Sequence, residues 1–326
     1  MKKDIRKIMV TGALGQIGSE LTAALRAKFG VDNVIATDCR PQPPENLKGQ
    51  GLFHSADVMD IDALERIIKL YDIDTVFHLA AILSATGERN PQLCWQVNMQ
   101  GTYNILELGV RHKMARIIIP SSIAVWGKGV PLENTPQETV LKPSTMYGVT
   151  KVCGELLGDY YVQRFGLDVR GLRYPGIISH ETPPGGGTTD YAVAIFYDAV
   201  ARGKYTCFVR EDTVLPMMYI PDAIRATIQL AEADFSRLRH HSDFNLAAIS
   251  FSAGELAASI RKYLPYFEIS YEPDYHQAIA DSWPRSIDDS AAREEWGWKP
   301  EWDLDVMTQD MLKQLQGRMA KHGKLV

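Results

Sequence analysis

The sequence predicts an α/β fold in which a doubly wound parallel sheet is joined to a smaller α+β domain. Two observations lead to this prediction. Short apolar runs alternate with helical patterns through the first half of the chain, and the first run leads directly into a loop with glycines at positions 12, 15 and 18. Strands that alternate with helices form parallel sheets, because each helix crosses back over the sheet before the next strand begins.

The composition is that of a globular protein with a sizeable core. The chain has 326 residues, 45% hydrophobic and 23% charged, with a net charge of −5. Because no basic run exceeds a pair of residues, we expect neither nucleic acid nor an anionic membrane as a partner. No apolar run approaches the roughly 20 residues of a membrane span. The scattered Cys39, Cys94, Cys153 and Cys207 and the absence of a signal-peptide pattern predict a cytoplasmic protein without a metal site or disulfides.

Each element of the first half follows from apolar periodicity and from helix-start signals. The predicted strands cover residues 8–10, 34–37, 52–54, 75–79, 116–120 and 168–174. Asp60 is predicted to cap one helix, and Asn90 followed by Pro91 predicts the start of another that continues to about His112. Ser144 or Thr145 is predicted to begin a long helix that ends near residue 165.

The pattern changes after Pro175. A glycine-rich loop covers residues 178–189, and helices are predicted at 191–202, 221–232, 252–264, 288–296 and 304–319. Strands are predicted at 205–209, 215–219, 244–246 and 269–271. We therefore expect a Rossmann-type nucleotide-binding domain of residues 1–175 plus about 220–245. The substrate-binding domain is expected to comprise about 176–219 plus 246–326.

The glycine loop predicts a phosphate site. Gly12, Gly15 and Gly18 lie where a strand turns into a helix, so unpaired N–H groups and the positive end of the helix dipole converge there. Asp38 ends the next strand, 20 residues after Gly18, at the spacing of an acid that binds an adenosine ribose. Its carboxylate repels a 2′-phosphate and favours NAD over NADP, although Arg40 can partly reverse that preference.

A second motif predicts a proton-transfer centre. Tyr147 and Lys151 lie four residues apart, so they share one face of a helix, and the ammonium is expected to lower the pKa of the phenol. The lysine can also donate to a nicotinamide ribose. Ser122 is the better candidate to orient the reacting oxygen, with Ser121 as the alternative. Asn98 is interpreted either as a residue that orders the site or as a buried helix asparagine.

These motifs together resemble the extended short-chain dehydrogenase/reductase family, which includes UDP-galactose 4-epimerase-like enzymes. The resemblance covers nearly the whole chain. It implies NAD as the cofactor, with Asp57 and Val58 at the adenine, Leu79 and Ala81 beside the cofactor, and Tyr174 near the nicotinamide. It also implies a homodimer formed through the two long helices of the first domain. The full set of cofactor residues implied in this way is Gly12, Gly15, Gln16, Ile17, Gly18, Asp38, Asp57, Val58, Leu79, Ala80, Ala81, Asn98, Tyr147, Lys151, Tyr174 and Ile177.

Three tracts, at residues 184–191, 215–219 and 282–286, resemble more closely the epimerase-like L-threonine 3-dehydrogenases, which use no metal. This resemblance implies that Tyr147, Lys151 and Ser122 catalyse the NAD-dependent oxidation of L-threonine at C3 to 2-amino-3-oxobutanoate, in threonine catabolism. The substrate-binding residues expected are Ser84, Ser122, Tyr147, Gly186, Thr188, Thr189 and Trp283. Asp190 is interpreted equally as a partner of the ammonium or as a helix cap. Trp283 is interpreted either as an apolar wall of the pocket or as a packing residue.

Two alternatives remain at this stage. The first is a nucleotide-sugar 4-epimerase or dehydratase, in which Arg210 and Arg285 hold a diphosphate. The second is a non-catalytic dinucleotide-sensing module, which is disfavoured because such a module does not need the Tyr147 and Lys151 pair. A dehydrogenase accumulates NADH when given threonine, whereas an epimerase retains its NAD without net reduction.

Overall fold

Fourteen strands and twelve α-helices are present in the computed structural model, which describes residues 4–43, 49–185 and 187–322. The strands are β1 (Ile8–Thr11), β2 (Val34–Asp38), β3 (Phe53–Ser55), β4 (Thr75–His78), β5 (Arg116–Ile118), β6 (Ser121–Ser122), β7 (Val169–Arg170), β8 (Leu172–Tyr174), β9 (Gly176–Ile178), β10 (Lys204–Cys207), β11 (Val214–Tyr219), β12 (Phe244–Asn245), β13 (Ile249–Ser252) and β14 (Glu268–Tyr271). The helices are α1 (Gln16–Phe29), α2 (Ile61–Tyr71), α3 (Ser84–Arg89), α4 (Pro91–Trp95), α5 (Gly101–Arg111), α6 (Met146–Phe165), α7 (Tyr191–Arg202), α8 (Ile220–Glu232), α9 (Ala253–Tyr263), α10 (Tyr275–Ala280), α11 (Ser290–Trp296) and α12 (Leu304–His322).

Six parallel strands form the central sheet, in the order β3-β2-β1-β4-β5-β7. The strand order reverses between β1 and β4, and ligands of doubly wound sheets bind at such a reversal, outside the carboxyl ends of the strands. Side chains alternate between the two faces of the sheet. Ile8 and Val10 accordingly belong to one buried apolar cluster and Met9 to the other. The predicted Rossmann-type fold is confirmed.

Two predicted strands of the first half are shorter than expected. The chain leaves the central sheet after Ile118 and again after Arg170, and both times it continues in a second parallel sheet of order β12-β8-β6. The second change of sheet coincides with Gly171, where a Cβ atom would collide with the backbone oxygen of Ser242. Close backbone approach therefore interrupts the strand predicted at residues 168–174.

The predicted helix starts are confirmed by their caps. The side chain of Asp60 accepts from Ala63 N–H at 2.9 Å, and that of Thr145 accepts from Gly148 N–H at 3.0 Å. Asn90 caps α4 in the same way. The helix predicted from Asn90 to His112 is continuous but not uniform. A π-helical turn at Gln96–Gln100 joins α4 to α5. Such turns are rare, and the apolar periodicity of the sequence does not predict them.

The second half of the chain surrounds the carboxyl ends of the central strands. A three-stranded sheet of order β13-β11-β9 and the parallel pair β10-β14 are covered by α7, α9 and α12, which pack against one another. The intervening α8 packs on α1 instead, and β12 pairs with β8. Residues 220–245 thus contact elements of the first half of the chain through α8 and β12. No helix of the described ranges has the length and apolar character needed to span a bilayer.

The first prediction concerns Gly12, which approaches the end of β4 closely. Its φ is +67°, and a Cβ atom there would lie 2.6 Å from the backbone nitrogen of Ala80. Gly203 has φ +68° but no neighbour within 4 Å of such an atom. We expect Gly203→Ala to cost about 1–2 kcal/mol from the left-handed conformation alone. Gly12→Ala should cost clearly more in urea unfolding, because strand β4 must also move. Equal losses for the two variants would contradict this account.

Candidate active site

A cleft of about 470 Å³ opens at the carboxyl ends of β1 and β4. This volume is within the range of small-molecule and cofactor sites. Its walls include most of the residues predicted for cofactor and substrate, and the list of these is Gly12, Gly15, Gln16, Ile17, Gly18, Leu79, Ala81, Ser84, Ser122, Tyr147, Lys151, Tyr174, Ile177, Thr188, Thr189 and Trp283. The structure thus brings together residues that are up to 271 positions apart in the chain.

The glycine loop fits a dinucleotide pyrophosphate. Gly15 is the N-cap of α1 and has no side chain to bond the first helical N–H groups, and the first turn of α1 contains no acidic residue. A Cβ atom at Gly18 would collide with the oxygen of Gly12, so the loop folds tightly only with glycine at that position. The uncapped N–H groups and the positive end of the helix dipole are therefore available to an anion at the floor of the cleft.

Asp38 lies at the end of β2, beside this loop. Its carboxylate accepts from Leu14 N–H at 3.1 Å and from the Arg40 guanidinium at 2.8 and 2.9 Å. Burial opposes ionisation, but the hydrogen bonds from Arg40 and Leu14 outweigh it and lower the pKa of Asp38. The carboxylate is thus charged at neutral pH, as recognition of a ribose hydroxyl requires. The bidentate contact with Arg40 was not foreseen, and it shows that the two residues act as a pair.

The remaining residues predicted for the cofactor are not part of the cleft wall. Asp57 and Val58 follow β3, where the Asp57 side chain accepts from Met59 N–H at 2.9 Å and Val58 is buried. Ala80 and Asn98 line a smaller chamber that adjoins the cleft.

Tyr147 and Lys151 share the face of α6 that is turned towards the cleft. The Lys151 ammonium lies 5.5 Å from the centroid of the Tyr147 ring and donates to the Pro120 carbonyl at 2.7 Å. Burial lowers the pKa of Lys151 to about 8, while the Glu155 carboxylate opposes this effect. Burial raises the pKa of Tyr147 to about 12, while Ser122 opposes the rise through a side-chain hydrogen bond. The expected lowering of the tyrosine pKa is therefore absent in the free protein, because burial exceeds the other effects.

The two candidate serines have different surroundings. The Ser122 oxygen faces the cleft and accepts from Ala124 N–H at 3.2 Å, and it thereby caps a short 3-10 turn. Ser121 is buried, and its hydroxyl donates to the Glu155 carboxylate. Because Ser122 contacts the Tyr147 phenol and Ser121 is engaged elsewhere, Ser122 is the serine available to a substrate.

Asn98 occupies the π-turn and holds three segments together. Its side-chain oxygen accepts from Ile82 N–H at 2.7 Å, and its amide donates to the Ile82 carbonyl at 3.1 Å. The same amide donates to the Thr150 hydroxyl at 3.0 Å, one residue before Lys151. Asn98 is thus both a buried helix asparagine and a tie between the segments that flank Lys151.

The substrate end of the cleft combines hydroxyl groups with an apolar wall. Ser84 begins α3, Thr188 is buried in the loop before α7, and Trp283 is almost fully buried beyond them. The Asp190 carboxylate accepts from the N–H groups of Gly185 and Gly187 at 2.6 and 2.8 Å, so it closes its own loop. Asp190 occupies the N-cap position of α7, but its side chain makes no cap bond to that helix. The predicted Gly186 lies outside the described residues.

Sequence reasoning missed two buried groups close to Lys151. His78 ends β4, and its Nδ1 lies 2.8 Å from the Thr11 hydroxyl. Burial, assisted by Lys151, lowers the pKa of His78 to about 3, so the imidazole is neutral. Glu155 follows Lys151 by four residues and forms a buried pair with Arg173. The four-residue spacing from Lys151 in α6 could have predicted that Glu155 lies close to the lysine. Nothing in the sequence distinguished His78 from an ordinary strand residue.

Similarity to known proteins extends over the full length of the chain. A family model described as the NAD dependent epimerase/dehydratase family matches residues 8–247. A curated relative from Staphylococcus haemolyticus, an uncharacterised epimerase/dehydratase, is 47% identical over 313 residues, which are 96% of this chain and 98% of that protein.

Solved structures also resemble this chain over most of its length. A monomeric L-threonine 3-dehydrogenase from a metagenome is 50% identical, with a TM-score of 0.92 over 95% of this chain and 99% of that one. The L-threonine dehydrogenase of Clostridium difficile is 48% identical, with a TM-score of 0.95 over 97% and 99%. The UDP-glucose 4-epimerase of Thermotoga maritima is 25% identical, with a TM-score of 0.84 over 97% and 100%.

The second prediction tests the expected binding of an adenosine ribose by Asp38, with two substitutions that should have opposite effects. Asp38→Asn removes a charged acceptor, so NAD⁺ binding measured by calorimetry should weaken roughly tenfold or more, and discrimination against NADP⁺ should fall. Arg40→Ala removes the cation that attracts a 2′-phosphate while leaving the carboxylate, so discrimination against NADP⁺ should rise. If both variants shift the preference in the same direction, the assignment of this pair is wrong.

Proposed function

The chain belongs to the NAD dependent epimerase/dehydratase family, and on that premise we propose that it oxidises L-threonine at C3 with NAD⁺, giving 2-amino-3-oxobutanoate. The observation that carries the proposal is the 48–50% identity to L-threonine dehydrogenases over at least 95% of the chain. This identity extends through the second half of the chain, where members of this fold differ in the substrate that they bind.

The side chains of the cleft support a simple division of roles. Tyr147 as phenolate takes the proton of the C3 hydroxyl, and Ser122 holds that hydroxyl in place. Lys151 stabilises the phenolate and is positioned to bind a nicotinamide ribose. NAD⁺, when bound, supplies the acceptor for the hydride that leaves C3. Loss of one proton to Tyr147 and of one hydride to NAD⁺ converts the secondary alcohol to a ketone, so NAD⁺ is the oxidant and no other is needed.

The electrostatics set a condition for the reaction. With the pKa of Tyr147 at about 12, the phenolate is rare in the free protein at neutral pH. The Lys151 ammonium and the Ser122 hydroxyl both favour the phenolate, so together they have to outweigh the effect of burial when the substrate is bound. The loop before α7, with Thr188 and Thr189, is suited to cover the substrate.

A small zwitterion matches the polar groups at the substrate end. Ser84, Thr188 and Thr189 offer neutral hydroxyl donors for a carboxylate. Asp190 also lines the cleft, but its carboxylate already accepts two backbone bonds. We therefore assign carboxylate recognition to the hydroxyl groups and give Asp190 the role of shaping the loop that carries them.

The position of Trp283 argues against a nucleotide sugar as the substrate. This side chain lines both the cleft and a separate cavity of about 60 Å³ that contains Arg210 and Arg285. The two arginines therefore lie behind the tryptophan wall. Moreover, the Arg210 guanidinium is bound by Asp281 at 2.9 and 3.1 Å and by Asp212 at 3.1 Å. A diphosphate would have to displace both the wall and these carboxylates.

The non-catalytic alternative is disfavoured by the same geometry. A sensing module needs the glycine loop and the ribose acid, but it has no use for a phenol, an ammonium and a hydroxyl that meet beside the cofactor cleft. Tyr147, Lys151 and Ser122 do meet there.

The domain assignment and the cellular location remain proposals. We propose that residues 1–175 plus about 220–245 bind NAD and that the other segments bind the substrate. The packing of α8 on α1 supports this division. We also propose a cytoplasmic location, which the four free cysteines support.

We propose further that two copies of the chain associate through α5 and α6. Trp95, Tyr103, Leu156 and Tyr160 expose large apolar or aromatic surfaces on α4, α5 and α6, and these helices pack side by side. Apolar side chains clustered in this way are typical of a contact with another protein. One similar structure is named as a monomer, so the proposal needs its own test.

The third prediction tests the reaction. With L-threonine and NAD⁺ the protein should produce NADH, seen as rising near-ultraviolet absorbance, whereas NADP⁺, D-threonine and UDP-sugars should give little. Tyr147→Phe should lower turnover by about 10²- to 10⁴-fold and leave NAD⁺ affinity nearly unchanged. Tyr161→Phe is the matched control, because that hydroxyl bonds to Glu107 on α5 and not to the cleft. Turnover of wild-type magnitude in Tyr147→Phe would remove this tyrosine from the mechanism.

The fourth prediction tests the dimer. Leu156 is 64% exposed on α6 and Leu70 is 66% exposed on α2, away from the proposed interface. Leu156→Glu should weaken dimerisation by about 100-fold, because it buries an unpaired charge, while Leu70→Glu should not. Light scattering after size exclusion measures both masses. A wild-type mass near 36.5 kDa at micromolar concentration would refute the dimer.

A further inference from the structure

The side of Lys151 that faces away from the cleft adjoins a small buried chamber of about 20 Å³. Strands β4 and β6, the π-turn and α6 enclose it. Its wall includes Lys151, Glu155, His78, Asn98 and Ser242. The lysine therefore separates the catalytic cleft from a second polar space, which the proposed reaction does not use.

The chamber has the properties of a hydrated site. Two of its wall atoms, Nε2 of His78 and Oγ of Ser242, are buried and make no hydrogen bond within the described chain. Unpaired buried polar atoms are costly, and a polar cavity of this volume admits about one water molecule. The Thr11 hydroxyl accepts from Ala80 N–H, so its own proton is available to His78 Nδ1. That arrangement leaves the Nε2 proton of the imidazole directed towards the chamber.

Glu155 supplies the negative charge of this chamber. Tyr147, Lys151 and Glu155 follow one another at four-residue intervals, so they form a row along one face of α6. The Glu155 carboxylate is fixed by Arg173 at 2.8 and 2.9 Å and by the Ser121 hydroxyl. Arg173 is in turn held on its far side by Asn245 at 3.0 Å and by the Gln137 carbonyl at 3.1 Å. These bonds hold the Glu155 carboxylate in place, one helical turn after Lys151.

From this geometry we propose that Glu155 is the counter-ion of Lys151 and acts as a positioning residue across the hydrated chamber. It keeps the ammonium charged, and the charged ammonium in turn makes the Tyr147 phenolate accessible. The other titratable groups that face Lys151 are His78 from β4 and Cys94 from α4, and both are neutral at neutral pH because burial lowers the pKa of His78 and raises that of Cys94. Glu155 is therefore the one fixed anion among the described groups that face this lysine. The inference rests on the role proposed above for Lys151.

The direct test is the titration of Lys151 in the folded protein. Carbon-13 at the lysine ε position reports protonation by NMR, and the resonance lost in Lys151→Arg identifies this residue. In Glu155→Gln the midpoint of Lys151 should fall by about one pH unit, because a unit charge at this range in partly buried surroundings is removed. In Glu155→Asp the charge is kept, so the midpoint should stay close to that of the wild type. An unchanged midpoint in folded Glu155→Gln would overturn the proposal.

Two further variants keep the test decisive. Glu155→Gln leaves Arg173 buried without its partner, which can prevent folding. The double variant Glu155→Gln with Arg173→Gln removes both charges, and its Lys151 midpoint should still fall because the carboxylate, and not the guanidinium, acts on the charge of Lys151. Asp159→Asn removes a carboxylate one turn further along α6 and should shift the midpoint much less. A shift as large in Asp159→Asn as in Glu155→Gln would also overturn the proposal.

Activity provides a second readout that a merely structural role would not produce. Near and above its midpoint Lys151 is less often charged in Glu155→Gln, so kcat there should fall several-fold while KM for NAD⁺ changes little. Well below the midpoint the ammonium is charged in both proteins, so the difference in kcat should disappear. Unchanged kcat in a variant whose Lys151 midpoint has fallen would refute the link from Glu155 to Tyr147. The NMR titration needs no substrate, so it stands even if L-threonine is not oxidised.

Discussion

A single face of α6 brings a phenol, an ammonium and a carboxylate into partly buried surroundings, and the rest of the site depends on their balance. Burial alone raises the pKa of Tyr147 to about 12 and lowers that of Lys151 to about 8, so each residue is driven towards its neutral form. The charged forms stabilise each other only when they are present together. The four-residue spacing therefore couples two unfavourable ionisations, those of Tyr147 and Lys151, in addition to placing the two side chains together.

The contacts around α6 convert this coupling into a fixed geometry. Thr145 caps the helix, and at Gly148 the helix approaches so closely that a Cβ atom would collide with the backbone oxygen of Ala124. Ala124 belongs to the 3-10 turn that Ser122 caps. The close approach therefore brings the hydroxyl of Ser122 to the phenol of Tyr147. Asn98 adds a second tie between the π-turn and α6. Local packing thus fixes the distances on which the electrostatics depend.

The sequence was sufficient for features that local chemistry determines. Helix caps such as Asp60 and Thr145, the glycine loop and the Tyr147–Lys151 spacing each depend on a few neighbouring residues, and the structure contains them. Features that depend on distant contacts were missed. The pairing of Glu155 with Arg173 joins α6 to β8, and the interruption of a strand at Gly171 depends on the backbone near Ser242. No local pattern reports such contacts, because their partners are set by the tertiary fold. Asp190 shows the same limit, since its carboxylate bonds backwards to its own loop instead of capping α7.

The reaction and its specificity are located in different parts of the chain. Proton abstraction is assigned to Tyr147 on α6 with Ser122 on β6, both in the first half of the chain. The proposed limit on substrate size is Trp283, which comes from the segment between α10 and α11 and lines both the cleft and the cavity of Arg210 and Arg285. A chain with the same α6 but without this wall would have a longer groove that reaches Arg210 and Arg285. The 25% identical UDP-glucose 4-epimerase shares the fold, and one fold can hold sites for different substrates. Because Arg210 is already neutralised by Asp212 and Asp281, the cavity behind the tryptophan carries little attraction for a phosphate, and both features favour a small substrate.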